Sequence, residues 1–165
     1  MRSVDEWLLA YGESHQNPTN KLIHWVCVPL IFMTLIGLLW GVSLPWVPQG
    51  EWMGHSLGEW SNLGVVLILF SLVYYSLISI PLALGMGVVS ALTIWSVFGL
   101  QSLGGIVGLS LVQLCLLIFT LAWIGQFIGH KIEGKKPSFF EDLQFLLIGP
   151  LWLLSFIYQR LGVRY

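Results

Sequence analysis

Two short polar segments contain the side chains of this sequence that are best suited to chemistry. The first runs from Tyr11 to Pro29 and has histidines at positions 15 and 24. The second runs from Gln126 to Glu133 and has a histidine at position 130. Imidazole and carboxylate groups bind divalent Fe, Zn or Mn, and two histidines with one carboxylate form the non-haem iron arrangement that activates oxygen. The residue types therefore predict a metal site made of His15, His24, His130 and Glu133.

The spacing within the first segment indicates how its histidines can meet. Asn20 and His24 are four residues apart and share one face of a helix. His15 lies nine residues before His24, which on one continuous helix would place the two rings on opposite faces. Asn17 followed by Pro18 is typical of a helix start, so we expect the chain to turn there and bring His15 beside His24.

The second segment places its polar side chains on a single helix face, because Gln126, His130 and Glu133 are separated by four and three residues. Polar groups at membrane depth are costly and usually turn towards the interior of a bundle. Metal-bound imidazoles commonly hydrogen-bond to neighbouring polar groups that fix their orientation. The side chains predicted to do this are Asn17, Asn20 and Gln126.

Composition indicates that these segments lie at the ends of membrane spans. Of the 165 residues, 56% are hydrophobic and only 9% are charged, against roughly 25% charged in soluble domains. No Asp, Glu, Lys or Arg occurs between Trp60 and His130. A span needs about 20 apolar residues, which predicts four spans near 22–43, 63–80, 82–100 and 106–128. The fold class expected is an all-α polytopic membrane helix bundle, with residues 1–165 as a single domain.

Two shorter helices are expected outside the spans. The segment Ser3 to Gly12 is amphipathic, begins with a capping box between Ser3 and Glu6, and should lie in the membrane interface. An apolar segment from Leu143 to about Tyr158 follows a second capping box, Ser138 with Glu141. Its Gly149-Pro150 pair predicts a kink, so we expect a half-inserted or surface-lying helix packed on the bundle.

Charge placement predicts the orientation of the bundle. Basic residues flank both polar segments, whereas the segment 41–62 and the turn expected near Gln101 have none. By the positive-inside rule, both polar segments face the cytoplasm, in a bacterial inner membrane, or in the endoplasmic reticulum of a eukaryotic host. The net charge of -1 argues against nucleic acid as a partner.

Three further residues, Cys27, Cys115 and His55, are of types that can bind metals, but we expect none of them to belong to the site. Cys27 and Cys115 fall within predicted spans, where no disulfide is expected. His55 falls in the outer loop with no acceptor cluster near it in the sequence, and we interpret it as an interfacial residue. The predicted site is therefore restricted to the two polar segments.

At these two segments the sequence resembles a known family, the Mpo-type 2-hydroxy fatty acid dioxygenases of yeast and their bacterial relatives. The resemblance covers nearly the whole chain in order and in number of spans. It is carried by Y-x-x-x-H-x-N-x-x-N-K-x-I-H-x-x-x-x-P from Tyr11 to Pro29 and by Q-x-x-G-H-x-x-E-x-x-x-P from Gln126 to Pro137. Two motifs at corresponding places in a chain are much more specific than either alone.

The resemblance implies an iron(II)-dependent enzyme of fatty-acid α-oxidation. Such an enzyme uses O2, without 2-oxoglutarate, to convert a long-chain 2-hydroxy fatty acid into the acid one carbon shorter. Its other expected partner is the membrane lipid that surrounds the spans. It implies that His15, His24 and His130 are the Fe(2+) ligands, with Glu133 either a fourth ligand or a partner of the ligands. Lys21 or Lys131 would hold the substrate carboxylate, unless both only anchor the span ends.

Two other functions are compatible with the same residues. A membrane hydrolase or lipid-modifying enzyme would use these ligands around Zn(II) to activate water, and it would not need O2. A non-enzymatic membrane protein would use the polar residues only to hold helix ends together, and it would bind no metal.

Overall fold

Six α-helices are present in residues 3–46, 50–137 and 144–165, the parts of the chain that the computed structural model describes. They are α1 (Val4–Gly12), α2 (Pro18–Trp40), α3 (Leu63–Ile78), α4 (Ile80–Val107), α5 (Leu111–Glu133) and α6 (Phe145–Leu161). A small hairpin of β1 (Glu51–Trp52) and β2 (His55–Ser56), followed by a 3-10 turn at Leu57–Trp60, joins α2 to α3. The predicted all-α membrane helix bundle is confirmed.

The starts of the first two helices follow from local hydrogen bonding. Glu6 N donates to Ser3 Oγ at 3.3 Å and Ser3 N donates to Glu6 Oε2 at 2.7 Å, which is the predicted capping box. Asn17 Oδ1 accepts from Thr19 N at 2.9 Å, and Pro18 is the first residue of α2. The predicted break between α1 and α2 is therefore confirmed. The second predicted capping box, Ser138 with Glu141, lies outside the described residues.

Three of the helices are long and apolar enough to cross a membrane: α2, α4 and α5. The remaining predicted span corresponds to α3, which has 16 residues. At 1.5 Å per residue it is about 24 Å long, somewhat less than the roughly 30 Å of a hydrocarbon core. The path of the chain shows how α3 is placed in the bundle.

The contacts at the two ends of the bundle show that α3 runs from one end of it to the other. Leu63 N donates to Val42 O at 3.1 Å, so α3 starts where α2 ends. Asn17 N donates to Glu133 Oε2 at 2.9 Å, so α5 ends where α2 starts. Since α4 and α5 form a hairpin, α4 starts at that same end, and α3 must return the chain to it.

The boundaries of the last two spans differ from those predicted. Gln101 lies inside α4, because this helix continues to Val107, and the turn is formed by Gly108 to Ser110. Gly108 adopts φ +72°, a conformation that favours glycine. The last predicted span was expected to end near residue 128, but α5 continues to Glu133, where the left-handed Gly134 ends it. The second polar segment is therefore entirely helical.

The helix α6 packs across one end of the bundle. Tyr75 Oη donates to Leu147 O, and Tyr158 Oη donates to Pro81 O, both at 2.8 Å. Tyr75 and Pro81 lie on either side of the short connection from α3 to α4, so both ends of α6 contact the same end of the bundle. Pro150 lies inside this helix, and its half-inserted or surface-lying position in the membrane stays a prediction.

Small residues allow α2 and α5 to approach each other closely at the level of the histidines. A Cβ atom added to Gly125 would lie 2.7 Å from Cys27 Sγ, and one added to Gly129 would overlap Asn20 Oδ1. Cys27 and Cys115 are both free and buried, which confirms that they form no disulfide. The close approach brings the start of α2 against the end of α5.

His55 lies at the opposite end of the bundle, and its surroundings correct one expectation. Its Nδ1 atom is 2.9 Å from Glu59 Oε2, so it does have an acceptor nearby. Its ring also stacks on Phe98, with 4.2 Å between the ring centroids. Glu59, four positions after His55, supplies this acceptor. His55 is thus a packing residue remote from the other three histidines.

Candidate metal centre

Three histidines converge at the end of the bundle where α2 starts and α5 ends. His15 comes from the connection between α1 and α2, His24 from the second turn of α2, and His130 from the last turn of α5. Their ring centroids are separated by 4.3, 5.0 and 4.9 Å. Their exposed fractions are 1%, 0% and 5%. The turn at Asn17-Pro18 thus brings His15 beside His24, as the spacing predicted.

Backbone carbonyl groups orient two of these rings. His15 Nδ1 is 2.6 Å from Tyr11 O, and His24 Nδ1 is 2.9 Å from Asn20 O. A carbonyl oxygen only accepts hydrogen bonds, so each Nδ1 carries the proton and donates it. The lone pair of each ring is therefore on Nε2, the tautomer in which a histidine can bind a metal through Nε2.

The nitrogen atoms within the cluster fit a metal ion. The candidate ligand atoms of the three histidines all lie within 4.8 Å of one another. His24 Nε2 and His130 Nε2 are 3.2 Å apart. Two imidazole nitrogens bound to one ion at about 2.1 Å would be about 3.0 to 3.4 Å apart in octahedral or tetrahedral geometry. Within the described residues, His15 Nε2 is buried and has no hydrogen-bond partner, and a metal would satisfy it.

Burial also sets the charge of the histidine that lies outside the spans. Desolvation, together with the neighbouring His24, lowers the pKa of His15 to about 3. The ring is thus neutral at physiological pH, and neutral imidazole is the form that binds metals. His15 can therefore bind a metal ion without first losing a proton to solvent.

Glu133 lies outside the three-histidine group and accepts hydrogen bonds from the start of α2 and the residue before it. Its Oε1 accepts from Gln16 N at 2.8 Å. Its Oε2 accepts from Asn17 N at 2.9 Å and from Asn20 Nδ2 at 3.0 Å. The carboxylate thereby fastens the connection that carries His15 to the end of α5. Of the two roles expected for Glu133, this geometry is that of the partner.

The three polar residues expected around the ligands have different contacts. The side chain of Asn17 caps α2 and contacts no histidine ring in the described structure. Asn20 is fully buried; its carbonyl orients His24, and its amide donates to Ser14 O at 3.2 Å as well as to Glu133. Gln126 is buried and interacts with the His24 side chain.

The lysines named for the substrate carboxylate are not part of the centre in this structure. Lys21 is half-buried and Lys131 is exposed. Neither is among the residues that line the cavity described below. This arrangement suits the alternative interpretation, in which both lysines anchor span ends at the interface.

Two aromatic residues beside His15 had no predicted role. Tyr11 stacks on the His15 ring with 4.2 Å between centroids, and the ring of Trp152 lies 5.2 Å away. Tyr11 is four residues before His15, a spacing that could have indicated the contact. Trp152 is in α6, and nothing in its sequence position indicates that it packs against His15.

An apolar cavity of about 340 Å³ opens beside the histidines. His130, Gln126 and Tyr11 lie in its wall at one end, and Leu35, Leu67 and Phe119 line the other. The remaining lining is formed by apolar and aromatic side chains, except for the indole of Trp123. Its polar end thus coincides with the candidate metal centre.

The fold and the centre together define a class: a membrane helix bundle with a buried three-histidine group, able to bind a metal at the mouth of a lipid-compatible cavity. The chain belongs to the 2-hydroxy-palmitic acid dioxygenase Mpo1-like family, whose family model matches residues 1–161. This confirms the resemblance seen in the two motifs.

One curated relative supports this assignment. The chain is 29% identical over 157 residues to the 2-hydroxy-palmitic acid dioxygenase MPO1 of Saccharomyces cerevisiae, covering 92% of this chain and 78% of the yeast protein. No solved structure matches the chain.

Proposed function

We propose that this protein is an iron(II)-dependent dioxygenase that converts a long-chain 2-hydroxy fatty acid into the fatty acid one carbon shorter. The observation that carries the proposal is the buried three-histidine group at the polar end of an apolar cavity, in a member of this family. His15, His24 and His130 would hold the metal. Glu133 and Asn20 would keep His15 and His24 in place.

The overall reaction is chemically balanced with O2 as the only co-substrate. R-CH(OH)-COOH and O2 yield R-COOH, CO2 and H2O: the bond between C1 and C2 breaks, C2 rises from alcohol to carboxylic acid, and C1 leaves as CO2. These oxidations together supply the electrons that reduce O2 completely. Iron(II) bound by three imidazoles, with open positions, would supply the activation of O2.

The cavity suits the acyl chain of such a substrate. Phe119 lies eleven residues before His130 on α5, and Leu35 lies eleven residues after His24 on α2. Both separations correspond to about 16 Å along a helix, or about half of the roughly 30 Å hydrocarbon core. A fatty acid with its carboxyl group at the histidines would therefore fit a cavity about one leaflet deep.

The residues near the polar end would orient the head of the substrate. Gln126 lies one helical turn from His130, and both line the cavity. Its amide group can donate a hydrogen bond to the carboxylate or hydroxyl of the substrate. Burial of the surrounding rings excludes water, which strengthens each of these polar contacts.

The reaction itself is the first test. Protein reconstituted with Fe(II) in lipid nanodiscs should consume O2 when given a long-chain 2-hydroxy fatty acid and should release the acid one carbon shorter, measured by an oxygen electrode and mass spectrometry. The matching acid without the hydroxyl group should give no turnover. It lacks the hydroxyl group on C2, so this carbon does not start at the alcohol level from which the reaction oxidises it to a carboxylic acid.

A zinc enzyme is the second candidate, and one observation favours it. With Glu133 turned away, the ligand group consists of three histidines, a set that also suits catalytic Zn(II). The same assay is therefore run without O2 and with zinc as the only metal. Turnover under either condition would contradict the dioxygenase and leave a zinc enzyme as the remaining candidate.

We further propose that the metal centre faces the cytoplasm, in the inner membrane of a bacterial host or the endoplasmic reticulum of a eukaryotic one, because basic residues flank both polar segments. Single cysteines replacing the exposed residues Glu13 or Lys136, in a background with Cys27→Ala and Cys115→Ala, should react with an impermeant maleimide only after the membrane is opened. A cysteine at the exposed Glu51 should react in intact cells. Labelling in the reverse pattern would place the centre on the outer side.

A further inference from the structure

The apolar end of the cavity contains the features that would limit the length of a bound acyl chain. Leu35 of α2, Leu67 of α3 and Phe119 of α5 line this end. Three different helices thus contribute one side chain each at the same depth. We propose that Phe119 and Leu67 form the floor of the cavity and set the longest 2-hydroxy fatty acid that the protein accepts, an inference that rests on the proposed function.

Helix packing closes the space beyond this floor. One turn beyond Leu67 on α3 is Gly64, where an added Cβ would lie 2.9 Å from Ile36 O and 3.2 Å from the Trp40 ring. At this level the backbones of α3 and α2 are in direct contact. A chain extending past Leu67 would have to separate the two helices, and closely packed interiors resist such a change.

The α5 side is closed in the same way. One turn beyond Phe119 is Cys115, which is fully buried against α2. A Cβ added to Gly37 of α2 would lie 2.5 Å from Cys115 Sγ. The space that receives an acyl chain therefore ends at Phe119 on this helix too. Phe119 itself is half-buried, so its ring can be enlarged or reduced without removing the contact between α2 and α5.

The size of the floor residues should therefore determine how affinity depends on chain length. Each CH2 group transferred from water into the cavity should increase affinity, referred to the free acid in water, about fourfold, until the chain reaches the floor. Beyond that length, affinity should stop rising or fall. Phe119→Ala opens space below the floor and should move this limit to longer chains, whereas Phe119→Trp should move it to shorter ones.

The experiment measures binding and turnover across a series of acids of increasing length. Saturated fatty acids compete with a spin-labelled fatty acid for metal-free protein in nanodiscs, and 2-hydroxy acids of the same lengths serve as substrates of the iron-loaded protein. Leu67→Ala repeats the test from a second helix, in case Phe119→Ala does not fold. Leu117→Ala is the matched control, because this exposed residue of α5 faces away from the cavity.

The expected result is that Phe119→Ala and Leu67→Ala favour chains longer by two carbons or more, Phe119→Trp favours shorter ones, and Leu117→Ala keeps the original profile. An unchanged length profile in the folded floor variants would overturn the inference even if the protein is an active dioxygenase. A shifted binding profile in protein that shows no O2-dependent turnover would support the floor and reject the proposed function. The experiment therefore distinguishes failure of the floor inference from failure of the proposed dioxygenase function.

Discussion

Replacing any one of His15, His24 and His130 by alanine should reduce bound iron from about one ion per chain to the background level. Because the metal is lost, turnover should be abolished as well. The three rings lie within ligand distance of one another and are almost fully buried. Loss of a residue that only orients a ligand typically weakens metal binding 10- to 100-fold, so loss of a ligand should have a larger effect. Elemental analysis of anaerobically purified protein measures this directly.

The matched control is His55→Ala, which removes the same ring at the opposite end of the bundle and should leave the iron content unchanged. Since His24 is fully buried, its removal can also affect folding, and thermal unfolding of each variant is recorded in parallel. His24→Asn keeps a polar side chain at this position. Equal iron in all these variants would show that the three histidines are structural.

Replacing Glu133 by alanine should have the second-largest effect, acting through position and not through loss of a ligand. The change leaves the N–H groups of Gln16 and Asn17 without their acceptor. It also leaves the Asn20 amide with one acceptor, the Ser14 carbonyl, where it had two. Hydrogen bonds to a charged group contribute about 1.5–3 kcal/mol each when buried. Of these three bonds, one is exposed and two are only partly buried, so we expect a total loss of about 2–3 kcal/mol in the free energy of unfolding.

Metal binding separates this positioning role from direct ligation. Glu133→Ala and Glu133→Gln should weaken Co(II) affinity about 10- to 100-fold, with the smaller effect for glutamine, which keeps one acceptor oxygen. The visible spectrum of the Co(II)-loaded variants should remain that of the parent, because the three-histidine ligand set is unchanged. Glu13→Ala, an exposed carboxylate at the same end of the bundle, is the control. A changed Co(II) spectrum in Glu133→Gln would identify Glu133 as a ligand.

Features that depend on neighbours in sequence could be predicted from the sequence. Ser3 and Asn17 set helix starts through hydrogen bonds to residues at most three positions away, Glu6 in one case and Thr19 and Asn20 in the other. Such contacts form in any tertiary setting, so the residue types suffice to identify them. The turn at Asn17 is also what allows His15 and His24 to meet, which made the histidine group predictable as well.

The helix boundaries were less predictable. An uninterrupted apolar stretch without charges gives no signal for where one helix ends and the next begins. Gln101 was therefore expected in a turn, but the chain turns at Gly108 to Ser110. The capping box of Ser110 with Gln113 marks this start, and it could have been recognised from the sequence.

Only the tertiary structure decided three features of the site. These are the direction of the Glu133 carboxylate, the contact of Trp152 with His15 and the floor at Phe119. Each depends on residues far apart in the chain, brought together by the rotation and separation of packed helices. Gly125 and Gly129 set how closely α5 approaches α2, and α6 supplies Trp152 from across the bundle end. The sequence by itself determined a membrane helix bundle with three histidines at one end, because apolar content and local spacing suffice for that. Helix packing alone decided which groups face the histidines and how deep the cavity beside them is.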